Sequence, residues 1–419
     1  TDNRGIAARR KDSVMRPVKR LLLIGSFDTK GEDYAFVGGQ IERRGHQVIT
    51  MDIGVIGTPQ CITPDWSAEA VAARAGYTLA ELRSLGDRGK ALSLMALGAA
   101  SLDGQGQIDG VLGMGGTGGT SVIASVMRQL PFGFPKVLVT TAASGDTRHI
   151  IGIRDIVLIP SIVDVAGVNR ISRTVYIQAA GALCGMVEQH IEESDHDKPV
   201  IAVTMFGNTT PCVERSVKLL EEQGYECLVF HCTGAGGRTM EDLCEAGRIA
   251  AVLDITTTEW ADELCGGVFS AGSSRLEAPG RAGIPHLIAP GCIDMVNFGP
   301  AATIPEAYQN RSLYAWNSDV TLMRTNIEEN RKLGRTFAEK ANAANGPVAF
   351  LIPLRGYSIL GGNGERFHDR AADLAFAEAL EANIKSTIIR QKLDVNINDD
   401  AFADQAVEML LHMLKDGKE

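Results

Sequence analysis

The 419-residue sequence lacks several features, and each absence removes a class of function. No stretch stays apolar for the roughly 20 residues that a membrane-spanning helix needs, and no charged-then-apolar start resembles a secretion signal. The expectation is therefore a cytoplasmic protein with no membrane partner. The eight cysteines contain no CxxC pair and are scattered along the chain, so they read as reduced thiols and not as a zinc site or a disulfide framework. Cys212, Cys232 and Cys292 fall where loops are expected, which leaves a catalytic thiol open at these positions. Positive charge is in deficit: 41 lysines and arginines stand against 51 aspartates and glutamates, a net charge of -10. Nucleic acid is then not an expected partner, because phosphate backbones are held by clustered Lys and Arg. The one basic run, from Arg9 to Arg20, reads as a solvated arm or an expression remnant over residues 1–17.

What is present is the composition of a globular protein, 45% hydrophobic and 22% charged, at a length that suggests two domains of about 200 residues. Its most distinctive stretch is GMGGTGGT at 113–120, five glycines in eight residues between an apolar run and a helical pattern. A strand that ends in such a turn and opens a helix aims unpaired backbone N–H groups and the positive end of the helix dipole at one spot, which suits an anion such as phosphate. The hydroxyls of Thr117, Thr120 and Ser121 add donors. The stretch lacks the lysine of a Walker A loop and fits the dinucleotide fingerprint only loosely, so the kind of phosphate ligand stays open. A turn that merely lets a helix pack close to a sheet is the competing reading.

In chain order, RLLLIG at 20–25 reads as a buried strand, 26–33 as a loop, 33–44 as a helix closed by Gly45, and 48–53 as a second strand. This is a βαβ unit, and its loops at the strand C-termini form a binding edge that carries Asp28, Thr29 and Lys30. Asp28 and Thr29 also suit a helix cap. Strands at 111–114, 135–141 and 156–161 follow, and Arg170 and Arg173 are spaced for one face of the helix that runs to 189. The polar 192–198 stretch makes a linker. Beyond it the pattern repeats: strand 200–204, turn, helix 212–223 stopped at Gly224, strand 226–231. The expected organisation is two Rossmann-like α/β domains with parallel sheets, 18–195 and 196–419, related by internal duplication, with a ligand cleft between them.

The second copy differs chemically. It offers His231, Asp254, Glu259 and Asp294 at its expected sheet edge, candidates for general acid–base work on a phosphorylated or carboxylated metabolite. A metal needs at least three of them converging, and pairing or capping is the commoner use, so no metal is assigned. The glycine-rich loop at 355–367 is long enough to favour function or an interface, and with the alanine-rich helix near 91–100 it supports an expectation of a homodimer. An edge strand at 387–393 and a closing helix at 402–415 complete the pattern.

The ordered motifs GSFDTKGED, GMGGTGGT, TTAASGDTR, FGNTTPCV, HCTGAGGRTMED, DITTTEWADEL, PGCIDMVNFG and LIPLRGYSILGG resemble the Tm-one-like ATP-binding domain family, named for the N-terminal domain of the tomato mosaic virus resistance protein. The resemblance runs from about Arg20 to the end of the sequence. It implies two Rossmann-like subdomains, dimers, and ATP as the ligand with magnesium as a companion ion. It also implies a separate TIM-barrel partner protein, since a barrel follows this domain in the plant protein. By motif and loop position the implied contacts are Asp28, Thr29 and Lys30; Gly115, Gly116, Thr117, Gly118, Gly119 and Thr120; and Ser144, Gly145, Asp146 and Arg148. Whether a reaction follows binding is left open.

Overall fold

A computed structural model describes residues 17–101, 108–189 and 198–416. The arm expected at 1–17 lies, but for its last residue, outside them. The chain divides into two compact units at residues 192/193.

The first unit begins with β1 (Arg20–Gly25), whose unbroken apolar run reflects cover on both faces. Next come α1 (Phe27–Arg43), β2 (Gln47–Asp52), α2 (Ala68–Arg74), α3 (Leu79–Ser84) and α4 (Arg88–Ala100). Then follow β3 (Gly110–Gly115), α5 (Thr117–Gln129), β4 (Lys136–Thr140), α6 (Arg148–Ile151), β5 (Val157–Pro160) and α7 (Ser172–Glu188). The strands form one parallel sheet in the order β2-β1-β3-β4-β5. Phe27, Tyr34 and Val37 of α1 pack with Tyr176 and Leu183 of α7 on one face, while α2 to α5 bury Val71, Met95 and Ile123 on the other.

The second unit runs β6 (Val200–Met205), α8 (Thr210–Glu222), β7 (Glu226–His231), α9 (Ala235–Glu245), β8 (Ala251–Thr256), α10 (Glu259–Cys265), α11 (Ala278–Ala282) and β9 (His286–Gly291). It continues with β10 (Met295–Phe298), β11 (Leu313–Ala315), β12 (Thr321–Arg324), α12 (Ile327–Ala343), β13 (Val348–Pro353), α13 (Arg370–Asn383), β14 (Ile389–Leu393) and α14 (Asp400–Asp416). Its large sheet has the order β7-β6-β8-β9-β13-β14, all parallel. Counted from the first strand of each unit, five positions of the two sheets are filled in the same order, so the duplication is one of topology. The helix stops repeat too: Gly45 and Gly224, just past α1 and α8, have φ of 87° and 89°, the left-handed region that favours glycine.

Three expectations need correction. The loop expected at 26–33 is already helical, because α1 starts at Phe27 behind an extended Ser26, with Asp28 in the first turn where its charge complements the dipole. Only Lys30 departs from helical geometry (φ -133°, ψ 17°). Arg170 precedes α7 and so shares no helix face with Arg173. The sequence reading passed over an antiparallel sheet, β10-β12-β11, whose strands of three and four residues are too short to display an alternation.

Within the glycine stretch the packing reading holds at Gly113. A Cβ there would sit 2.3 Å from the Ile123 side chain of α5. Gly113→Ala is expected to push α5 off β3 and cost about 1–3 kcal/mol in urea unfolding. An unchanged midpoint would show that the helix is not seated on this residue.

Candidate functional site

In the first sheet the chain leaves β1 toward β2 on one side and re-enters at β3 on the other, so the loops after β1 and β3 flank the point where strand order reverses. Open α/β sheets bind ligands at that crevice. Tyr34 holds it together: its hydroxyl lies 2.6 Å from the Ile24 carbonyl and 2.7 Å from that of Met114, and accepts the Met114 N–H at 2.5 Å. Burial pushes this phenol well above its usual range, which keeps it neutral. Gly25 is required beside it, since a Cβ would fall 2.1 Å from the Tyr34 ring.

The residues expected after β1 divide. Asp28 is buried; its Oδ2 accepts the N–H groups of Ile56 and Gly57 at 3.0 and 2.9 Å, and its Oδ1 is buried with no partner. Neighbouring Asp52 accepts from Phe27 and Gly54 N–H, and burial, reinforced by the Asp28 charge, raises its carboxyl. Thr29 is exposed, and Lys30 reaches the Val165 carbonyl without an ion-pair partner among the described residues.

After β3, Gly116 is the extended N-cap of α5 (φ -76°, ψ -175°) and its side-chain position is open, the nearest atom being Thr141 Oγ1 at 4.0 Å. The position of Gly119 meets nothing within 4 Å. A Cβ on Gly115 would instead lie tightly, 3.2 Å from Thr120 N, and Thr120 is buried with its hydroxyl 2.6 Å from that of Thr140. None of these glycines has a positive φ, so backbone geometry does not demand them. Among the described residues no hydrogen bond occupies the N–H groups of Gly116, Thr117, Gly118 or Gly119; the first one used is that of Thr120, which bonds the Gly116 carbonyl. A guanidinium stands beside them, with Arg88 Nη2 3.9 Å from the Cβ position of Gly118. Arg88 is exposed and makes no hydrogen bond or ion pair among the described residues. Sequence reasoning missed it. The available signal was a pair of basic residues, Arg88 and Lys90, in a first helical turn with no acid, where the dipole disfavours cations. Ser144, Gly145, Asp146 and Arg148, after β4, are all exposed. Arg148 grips Asp146 at 2.8 Å and, by that hydrogen bond, lowers its carboxyl to about 2.

The acids of the second unit are engaged differently. Arg275, 1% exposed, donates to both Asp254 oxygens at 2.6 and 2.7 Å, to Glu259 Oε2 at 2.8 Å and to Glu241 at 3.4 Å. Thr204 and His286 complete the shell of Asp254. Glu259 Oε1 accepts the N–H groups of Gly234 and Gly237 at 2.8 and 3.1 Å, so a carboxylate of this chain fills the glycine-rich turn that opens α9. Burial alone would raise the Asp254 carboxyl; the Arg275 charge and hydrogen bonds outweigh it and hold the group below its usual range. Nothing in the sequence marked Arg275, which sits in a Gly-Ser loop that reads as solvated. Asp294 lies outside this network: its Oδ2 accepts the Ser358 hydroxyl at 2.6 Å, its Oδ1 is buried without a partner, and burial raises its carboxyl. Ser358, Tyr357 and Phe367 are buried, so the 355–367 loop is fastened over Asp294. His231 is exposed at the end of β7, its ring 5.4 Å from that of Phe206. Among the described residues no three metal-ligating side chains come together. Burial pushes the Cys212 thiol up to about 12 and those of Cys232 and Cys292 well above their ordinary value, which opposes thiolate chemistry.

The N-terminal domain of the uncharacterised protein family UPF0261 matches residues 19–192, and the C-terminal domain of that family matches residues 198–414. The chain belongs to this family. A UPF0261 protein of Clostridium tetani is 44% identical over 406 residues, which cover 95% of this chain and 99% of that one. The tomato (Solanum lycopersicum) ToMV resistance protein Tm-1(GCR237) is 38% identical over 420 residues, 94% of this chain but 56% of that protein. Among solved structures, the UDP-N-acetylglucosamine 2-epimerase of Rickettsia bellii is similar over 96% of this chain and 97% of its own, at 12% identity and a TM-score of 0.24. In UPF0261 terms, the Arg275 network lies in the C-terminal family domain and the open α5 turn in the N-terminal one.

The Arg275 network yields a stability prediction. Arg275→Met leaves Asp254 and Glu259 buried without their cation, and should cost about 3–5 kcal/mol in urea unfolding followed by Trp260, whose indole N–H donates to the Arg275 carbonyl. Because the folded Asp254 carboxyl lies below its ordinary value of 3.8, its contribution is present above that pH and lost as pH falls further. A loss below about 1 kcal/mol would mean that the carboxylates are not ionised together.

Proposed function

We propose that this UPF0261 protein binds a nucleotide through its first domain, with a phosphate on the N–H groups that open α5. The observation that carries the reading is the combination of four N–H groups and an Arg88 side chain that have no partner among the described residues, with open space at Gly116 and Gly119, at the strand-order reversal. Arg88 would meet the phosphate by a charge-assisted hydrogen bond and Thr117 by its hydroxyl. The motif resemblance supplies ATP as the nucleotide. Magnesium would be carried chiefly by the phosphates and water, the usual coordination of that ion, with Asp28, whose buried Oδ1 has no partner among the described residues, on the same edge.

Isothermal titration with ATP tests this reading. Gly116→Val puts a branched side chain where the ligand would lie, in a backbone conformation that valine adopts readily, and should weaken ATP at least tenfold with no loss of fold. Arg88→Ala should cost about 1.5–3 kcal/mol of binding and Thr117→Ala about 0.5–1.5 kcal/mol. ATP affinity unchanged in both Gly116→Val and Arg88→Ala would overturn the proposal.

A further inference from the structure

The second unit holds a small cavity of about 210 Å³ at the C-terminal ends of β6 and β7. Its walls are rings: Phe206, His231, Phe269 and Trp316, closed on one side by Val320 and Leu322. The Phe206 ring lies 5.4 Å from that of His231 and 6.2 Å from that of Phe269, both inclined. Trp316 is 49% exposed, on a turn that is held in place. Its main-chain N–H donates to the Val320 carbonyl, Asn317 Oδ1 accepts the N–H groups of Asp319 and Val320 to shape the β11–β12 turn, and Tyr314 meets the indole edge-on at 6.1 Å. Among the described residues no aspartate, glutamate, lysine or arginine lines the cavity.

One polar group is out of balance there. Asn208 is 2% exposed and lines the cavity, but its side-chain amide has no nitrogen or oxygen partner among the described residues, only Met295 Sδ at 3.7 Å, a weak acceptor. A buried amide left in this state is costly unless something else satisfies it. Its main-chain carbonyl, by contrast, is anchored by Ile359 N–H and Asn398 Nδ2, so the backbone that carries the amide is fixed in place.

We infer that this cavity binds an uncharged planar heteroaromatic ring that carries a donor beside an acceptor on one edge, the chemistry of a nucleobase or an aromatic carboxamide. Ring faces stack on Phe206, Phe269 and Trp316, and the Asn208 amide, with one donor and one acceptor face, pairs with the ring edge. The volume decides the size: whole drug-sized ligands occupy about 300–1,000 Å³, so this cavity takes one or two fused rings. A saccharide is disfavoured, because its many hydroxyls would find no carboxylate or guanidinium on these walls. The site is argued from its own residues and does not depend on the phosphate site of the first domain.

The test uses the full chain and three neutral ring probes, nicotinamide, adenine and uracil, with N-acetylglucosamine and inorganic phosphate as contrasts. Binding is followed by ligand-observed NMR and by tryptophan fluorescence. At least one ring probe should bind saturably below about 10 mM, quench tryptophan emission, and remain undisplaced by phosphate. Trp316→Ala and Asn208→Ala should each weaken it about tenfold, a size typical of losing one stacking or pairing contact. Should Asn208→Ala fail to fold, the exposed substitution His231→Ala takes its place, with the same direction expected. Saturable binding of none of the rings, equal affinity in Trp316→Ala, or binding of the sugar alone would overturn the inference.

Discussion

Backbone N–H groups at the start of a helix need an acceptor, and at the C-terminal edge of a parallel sheet that acceptor is preferably an anion. The second unit meets this need internally. Glu259 places a carboxylate on the N–H groups of Gly234 and Gly237, and the buried charge then requires Arg275. Arg275 in turn binds Asp254 and Glu241. Much of the polar interior of that unit follows from one carboxylate at one helix start. A Cβ on Gly237 would fall 2.0 Å from Glu259 Oε2, so the glycine is there to admit the side chain.

The first unit has the same kind of turn at α5 and no carboxylate in it. Among the described residues Thr117 to Gly119 keep their N–H groups free, two glycine positions face open space, and the cation Arg88 stands beside them. The two turns therefore act as an internal comparison: one is filled by the chain's own anion, and the other has the donors, the space and the positive neighbour for an anion from outside. Glycine has two separate uses within eight residues here, packing at Gly113 and Gly115 and clearance at Gly116 and Gly119.

Much of this was legible in the sequence. Continuous apolar runs marked inner strands such as β1 and β6, because inner strands of a parallel sheet are covered on both faces, and the matching glycine stops after α1 and α8 revealed the repeat. The glycine stretch was found because its composition exceeds what a tight turn needs. Other parts left no such trace. Arg275 pairs with residues 16, 21 and 34 positions away, and an arginine in a flexible-looking segment carries no mark of burial. For the same reason Asp254 and Glu259 read as available acids, although both are committed to that guanidinium. Asn208 looked like an ordinary turn residue, and only its burial beside a sulfur acceptor distinguishes it.

The central claim is that the α5 turn is open to an external anion while the α9 turn is already filled. Selective ¹⁵N-glycine labelling with ATP titration addresses both turns in one experiment. The amide resonances of Gly116, Gly118 and Gly119 should move saturably, while those of Gly234 and Gly237, held by Glu259, stay where they are. Stationary resonances at 116–119, or shifts confined to 234–237, would contradict the account.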